Sequence, residues 1–300
     1  MPMLGAHQDA AAPGAGFGGR LKPILRRNWR GYWLLAAVSA TALVVAASFF
    51  DIGGLETAAS LRDLENRLLP PGSAGHPLGT DGLGRDVLAR VILGSRYTFG
   101  IAAMATAIAV GIGIPLGLLG VIGPPWLRVF VGRFVDLTIA FPSLVLAIVM
   151  IGILGRGSLT LALALGLFYW PLFARVTLAQ GQGIRVQQYV TAATLFGVSQ
   201  PRLILRHILP GIAPTVSVVI AFQFANLLIS TAGLSFLGLG PPLGVPEWGA
   251  MLADARGELT RAPWLLAGPG AAIAWSVILA NLIGDDLAAR TRAHRRTTIG

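Results

Sequence analysis

Six stretches of this chain run for 18 residues or more without an Asp, Glu, Lys or Arg: 31–50, 97–127, 137–155, 157–174, 207–246 and 262–284. A helix crossing ~30 Å of hydrocarbon needs about 20 mostly apolar residues, so each stretch can supply one crossing. Charged residues are 12% and hydrophobic residues 54% of the 300, whereas soluble domains carry roughly 25% charged residues. So few charges cannot cover a core of this size in water. The chain is expected to be all-α and polytopic, with six transmembrane helices.

Two of the stretches exceed one crossing. In the second, Pro124-Pro125 ends the helix, so Tyr97 to Val121 is one span, kinked at Pro115. In the fifth, residues 233–246 hold four glycines and three prolines, a poor helix. The expected span is 212–231, followed by an external loop at 232–262 with room for a re-entrant stretch.

Arg and Lys set the orientation. With a cytoplasmic N-terminus, the inside segments 1–30, 122–136, 175–211 and 285–300 hold 15 basic and 4 acidic residues, and the outside segments 8 basic and 9 acidic. The net charge of +10 is thus a topology signal and gives no support to a nucleic-acid partner. Both termini are expected to be cytoplasmic. Trp29, Trp33, Trp126, Trp170, Trp248 and Trp264 fall near expected helix ends, as interfacial aromatics do. The expected organisation is a cytoplasmic tail at 1–30, disordered in part, and a first transmembrane helix at 31–50. An extracytoplasmic segment with an interfacial helix follows at 51–96, then a five-span core at 97–288 and a cytoplasmic tail at 289–300. The first apolar run is too long, and begins too far from residue 1, for a cleavable signal.

Several chemistries are excluded. The chain has no cysteine, hence no disulfide, thiolate metal site or cysteine nucleophile. Its one lysine is Lys22, between Leu21 and Pro23, so it holds no GxxxxGK[ST] phosphate loop. Any ATP hydrolysis belongs to another chain. An ion-coupled secondary transporter is the main alternative class, but no charge is placed in mid-span, where such proteins need one. An intramembrane hydrolase would want paired catalytic groups within the spans, and no Ser/His or two-Asp arrangement is evident. No cofactor, metal ligand or substrate-binding residue can be named.

The most informative segment is 187–211, QQYVTAATLFGVSQPRLILRHILPG. Residues 189–196 read as a short helix, with Ala192 and Ala193 leaving little bulk. Gly197 offers a left-handed turn, Ser199 an N-cap, and Pro201 a tolerated first-turn proline. Leu203, Ile204, His207 and Ile208 share one face of the second helix, and Pro210 is expected to break or bend the chain before the next span. The expected product is a compact helix–turn–helix knob at the inner membrane face, with His207 packed into it.

At these residues the chain resembles the permease subunits of ATP-binding-cassette importers, whose coupling loop reads EAA, three residues, Gly, nine residues, then I-x-L-P. Here Thr191, Ala192, Ala193, Gly197 and His207-Ile208-Leu209-Pro210 stand at that spacing. Thr191 replaces the usual Glu, and His207 the first Ile. HPLGTDGLGRDVLARVILGSR at 76–96, Ala140-Phe141-Pro142, Trp170 with Ala174-Arg175, and Ser235-Phe236-Leu237-Gly238-Leu239-Gly240 are similar to the dipeptide/oligopeptide/nickel branch. So are Trp248-Gly249, Pro263-Trp264 and Gly284-Asp285. The HPLGTD element resembles the six-span C-type subunit. The resemblance implies a type I importer-like transmembrane domain in a bacterial inner membrane. It also implies a second, different permease, two cytoplasmic ATPases and an extracytoplasmic solute-binding protein. It makes Thr191, Ala192, Ala193, Gly197, His207, Leu209 and Pro210 the ATPase-coupling residues.

Other positions have plainer expectations. Asp81 and Asp86, near His76, are expected to cap a helix start, with Val87, Leu88, Val91 and Ile92 laying that helix on the outer interface. Asp136 is expected to pair with Arg133 one turn earlier, Gly113 and Gly117 to mark a close helix contact, Pro142 to be either a static kink in its span or a gating hinge, and Arg156 to snorkel outward.

Overall fold

The computed structural model describes residues 18–50, 54–242 and 244–297, with side chains described between Tyr32 and Arg292. The expected disorder of the tail concerns residues 1–19, of which 1–17 lie outside those described and Gly18 and Gly19 open α1. Helices α1 (Gly18–Phe49) and α2 (Leu55–Ser60) lead into α3 (Val87–Ile122), α4 (Pro125–Ile139), α5 (Ser143–Leu154) and α6 (Ser158–Arg185). Then come α7 (Gln188–Leu195), α8 (Gln200–Leu203), a π-turn at Ile204–Ile208 and α9 (Leu209–Phe236). The last helices are α10 (Trp248–Ala255) and α11 (Ala267–Thr297). Among the described residues there are no β-strands, only the isolated bridges Ser73–His76 and Thr80–Asp86.

Among the described residues five helices are long and apolar enough to cross a membrane, and the bent pair α4–α5 supplies a sixth crossing if it is one span. Counted as one span, that pair completes the six expected crossings, the third of them sharply bent. The 137–155 stretch is divided at Ala140-Phe141-Pro142, and its halves meet at 76°. Pro142 has no N–H to donate, and its ring would crowd the carbonyl four residues back. The Ala140 N–H therefore closes on Asp136 and the Phe141 N–H on Thr138, and a new helix starts at Ser143. Pro115, Pro171 and Pro214 lie inside helices that continue through them.

Other boundaries move as well. No separate interfacial helix occupies 87–92: Val87, Leu88, Val91 and Ile92 form the first turns of α3, which is continuous for 36 residues. The helix α1 begins at Gly18, well ahead of 31, and α11 runs on past 288 to Thr297. The 232–262 segment holds the end of α9 and the eight-residue α10, too short to cross.

The core is built on α3 and α6. In a bilayer, helices gain little from hiding apolar surface from lipid, so close packing must hold them. Glycine permits it here. A Cβ on Gly113 would sit 2.6 Å from the Phe173 Cβ, and one on Gly117 2.6 Å from the Thr177 Cβ. On the opposite helix, a Cβ on Gly166 would stand 2.6 Å from that of Ile108. The small-residue spacing at 113 and 117 is therefore a close contact, as expected. Buried Ile101, Ala105, Ala147, Ile151, Leu165 and Leu227 join α3, α5, α6 and α9. A second cluster brings Val131 and Val135 of α4 against Ala109, Phe173 and Ala174. By contrast, only 6% of the apolar window of α1 is buried. Its links include the Trp275 indole donating to the Thr41 hydroxyl at 3.1 Å and Arg96 donating to the Ser48 carbonyl at 3.1 Å.

Replacing Gly113 by Leu is expected to wedge α3 from α6 at a cost of about 1–3 kcal/mol, seen as a lower unfolding temperature of the detergent-purified protein. Gly111→Leu, where a Cβ meets nothing within 4 Å, is the control and should unfold close to wild type.

Candidate functional site

The 187–211 segment folds as a protruding elbow. Its helix α7 ends at Leu195 with Phe196 as C-cap, and Gly197 follows at φ 77°, the left-handed conformation the sequence anticipated. The Val198 N–H reaches back to the Ala193 carbonyl at 3.1 Å and the Gly197 N–H to Thr194 at 3.1 Å, a paired arrangement that satisfies the last helical carbonyls. Ser199 does stand at the start of α8, but its hydroxyl makes no capping bond there. Pro201 occupies the first turn, as expected.

Pro210 does not break the chain. The helix tightened at α8 widens into a π-turn in which the Leu209 N–H bonds to the carbonyl of Ile204, five residues back. The extra residue absorbs the crowding of Pro210 against the preceding turn. The result is one helical body from Gln200 to Phe236. Leu203 and Ile208 are buried with Val121, Val190, Ile212 and Val216, so the elbow is bolted to the end of α3 and the root of α9. His207 packs its ring 6.0 Å from that of Tyr189.

The elbow's tip exposes large apolar side chains among polar ones. Leu195 is 83% exposed and Phe196 89%, with Tyr189 and Leu205 also exposed beside them. Sequence reasoning stressed the small Ala192 and Ala193, which are only half-buried, and passed over these two large side chains at the tip. Their position immediately before the glycine turn was the available signal. Thr191 is exposed and lines a cavity of about 420 Å³ with Arg128, Gln182, Arg185 and Val186. Its hydroxyl bonds back to the Gln187 carbonyl at 3.2 Å, and Arg185 Nη1 donates to the carbonyl of Val121.

At the opposite end of the bundle, charged residues tie the outer segment down. Asp86 does cap α3, accepting from the Ala89 N–H at 2.7 Å, and it also meets His76 Nδ1 at 2.8 Å. Asp81 is not a cap, contrary to expectation. It accepts from Arg85 Nε at 2.8 Å and from Arg90 Nη1 at 2.7 Å, and its backbone partners are Leu83 and Arg85. Asp254 comes within 3.8 Å of Arg85 Nη2 and 3.6 Å of Arg90 Nη2 in the wall of a cavity of about 450 Å³, and burial pushes its pKa up. The buried Glu247 opens α10, accepting from the Gly249 and Ala250 N–H groups and from the Thr98 hydroxyl. Burial raises its pKa against those bonds.

Asp136 is likewise redirected. Its partner is Arg175 of α6, at 2.7 Å, and the expected pairing with Arg133 is not what forms.

Gly197→Val is expected to strain the elbow by about 1–2 kcal/mol, since a side chain resists this φ, although a Cβ itself has open space. Amide exchange at Val198 should speed up in the variant, while Gly197→Asn, which tolerates the left-handed region, should stay near wild type.

Comparison with known proteins places this architecture. The family model described as binding-protein-dependent transport system inner membrane component matches residues 109–292, which include the whole elbow. The glutathione transport system permease protein GsiD of Pectobacterium atrosepticum is 32% identical over 271 residues, covering 88% of this chain and 90% of that protein. The dipeptide transport system permease protein DppC of Alkalihalophilus pseudofirmus is 35% identical over 222 residues, covering 74% of this chain and 73% of that one. Among solved structures, the MetNI methionine ABC transporter in inward-facing conformations matches with a TM-score of 0.56 and 18% identity, over 67% of this chain and 95% of that chain. The chain therefore belongs to the inner-membrane components of binding-protein-dependent transport systems, as a multi-pass permease subunit with the type I ABC importer fold.

Proposed function

We propose that this permease forms half of an import pathway for peptides or peptide-like solutes such as glutathione, and that the 187–211 elbow is where cytoplasmic ATPases drive it. The pathway's other half is a second, different permease chain. Two ATP-binding subunits sit beneath the pair, and a solute-binding protein delivers cargo to the outer face. Both termini lie on the cytoplasmic side. The solute class is supported by relatives named for glutathione and for dipeptide transport.

The observation that carries the coupling role is the exposed tip, Leu195 and Phe196, on an elbow whose second arm is continuous with α9. A soluble surface rarely leaves two such side chains this exposed next to each other without a partner. A partner that grips the tip moves a helical body reaching across the membrane. Nucleotide binding can then bias the bundle between two states, because the grip differs between them. Thr191, Ala192, Ala193, Gly197, His207, Leu209 and Pro210 act as the framework of this contact. Thr191 leaves room at Arg128 and Arg185 for an acidic group.

Burying a Phe side chain is worth about 1.5–3 kcal/mol, so Phe196→Ser should weaken ATPase association at least tenfold by the usual conversion of about 1.4 kcal/mol per decade. Copurification from membranes at graded detergent and salt measures it. An unchanged ATPase yield with Phe196→Ser and Leu195→Ser combined would refute the docking role. Thr191→Glu, which sets a carboxylate beside Arg128 and Arg185, should leave copurification intact or strengthen it. A loss of assembly would mean that the hydroxyl itself is matched to the ATPase.

A further inference from the structure

The Asp136–Arg175 pair stands where charges are expensive. Arg175 lies ten residues before the end of α6 at Arg185, about 15 Å along the axis. From the other side, α5 has only 12 residues between the 76° bend and its outer end, about 18 Å, and Asp136 lies one turn before that bend. Both routes place the pair within the hydrocarbon thickness, which corrects the expectation that no charge lies in mid-span. Yet the side chains are 51% and 57% exposed in this chain.

Charged side chains within spans face either a protein interior or water, and they commonly mark solute paths. Lipid would leave this pair poorly solvated, and a dry protein interface would strip it of water. The surrounding faces distinguish the remaining environment. On α6, Arg175, Ala179 and Gln182 follow one another down a single face, a small and polar strip leading to the inner end. The exposed face of α5, with Leu144, Val145, Ile148, Val149 and Ile153, is wholly apolar, as lipid contact requires.

We propose that Asp136 and Arg175 face the water-filled solute path and receive the charged termini of a zwitterionic solute, its carboxylate on Arg175 and its ammonium group on Asp136. The identification of the solute rests on the peptide-import reading above; the exposure of the pair to water does not.

Since the chain has no cysteine, one introduced thiol reports cleanly. In inverted vesicles carrying the complete transporter, Ala179→Cys should react with a membrane-impermeant cationic methanethiosulfonate, and Val149→Cys should not. Ala179→Cys that is as inert as Val149→Cys, with and without ATP, would overturn the placement. Transport then tests the ligand. Losing a charged hydrogen-bond partner costs about tenfold or more in affinity. Asp136→Asn should therefore raise KM for alanylalanine about tenfold while kcat holds, and leave N-acetyl-alanylalanine unchanged. An equal loss of kcat for both solutes would make the pair a structural clamp and refute recognition of the termini. If the wild-type transporter imports neither alanylalanine nor glutathione, the peptide reading fails and the ligand assignment falls with it. The thiol result separately decides whether the pair meets water.

Discussion

The α3–α6 seam is the contact on which the remaining architecture depends. It runs from Ile108 against Gly166, through Gly113 and Gly117 against Phe173 and Thr177, to Val121 against Gly181. Small residues let the two backbones approach until dispersion and shape hold them, the principal source of cohesion between helices already in lipid. The other helices are arranged about that seam. The inner half of the bent span, α4, packs Val131 and Val135 onto it, and α5 adds Ala147 and Ile151. At the cytoplasmic end, Val121 of the same seam shares a cluster with Leu203 and Ile208. The elbow is thus seated on the end of the closely packed α3–α6 seam.

At the outer end the logic changes from packing to polar fixation. Glu247 is fully buried, and its carboxyl group is surrounded by the Thr98 hydroxyl and two backbone N–H groups. The neighbouring Trp248 donates its indole N–H to the Val91 carbonyl at 2.8 Å. Together these fasten the loop after α9 to the first turns of α3. Asp81 performs the same service for the stretch before α3 by holding Arg85 and Arg90. Loops that carry many backbone polar groups can be ordered at a membrane surface only if those groups find partners.

Much of this was legible from residue order. The charge-free stretches located the crossings, because the cost of charge in hydrocarbon applies to every helix regardless of its neighbours. Gly197 was legible for a similar reason: a left-handed turn after a short helix is a local demand. What escaped depended on partners distant in the chain. Asp136 has Arg133 one turn away, but the guanidinium that reaches it belongs to residue 175, on a helix brought alongside by the glycine seam. The break of the third span was signalled by Pro142, yet proline alone did not distinguish it from Pro115, Pro171 and Pro214, which their helices tolerate. The exposure of Leu195 and Phe196 was hidden by the assumption that a tip meeting a partner should be built of small residues.

The π-turn at 204–208 sets a phase as well as a path. One residue more than an α-helix requires rotates everything beyond it by about 100°, and with that rotation Ile212 and Val216 of α9 lie in the same buried cluster as Leu203 and Ile208 of the arm. Removing that extra residue would swing the face carrying Ile212 and Val216 away from Leu203, so the arm and the helix it feeds are keyed to each other like the two halves of a splined shaft.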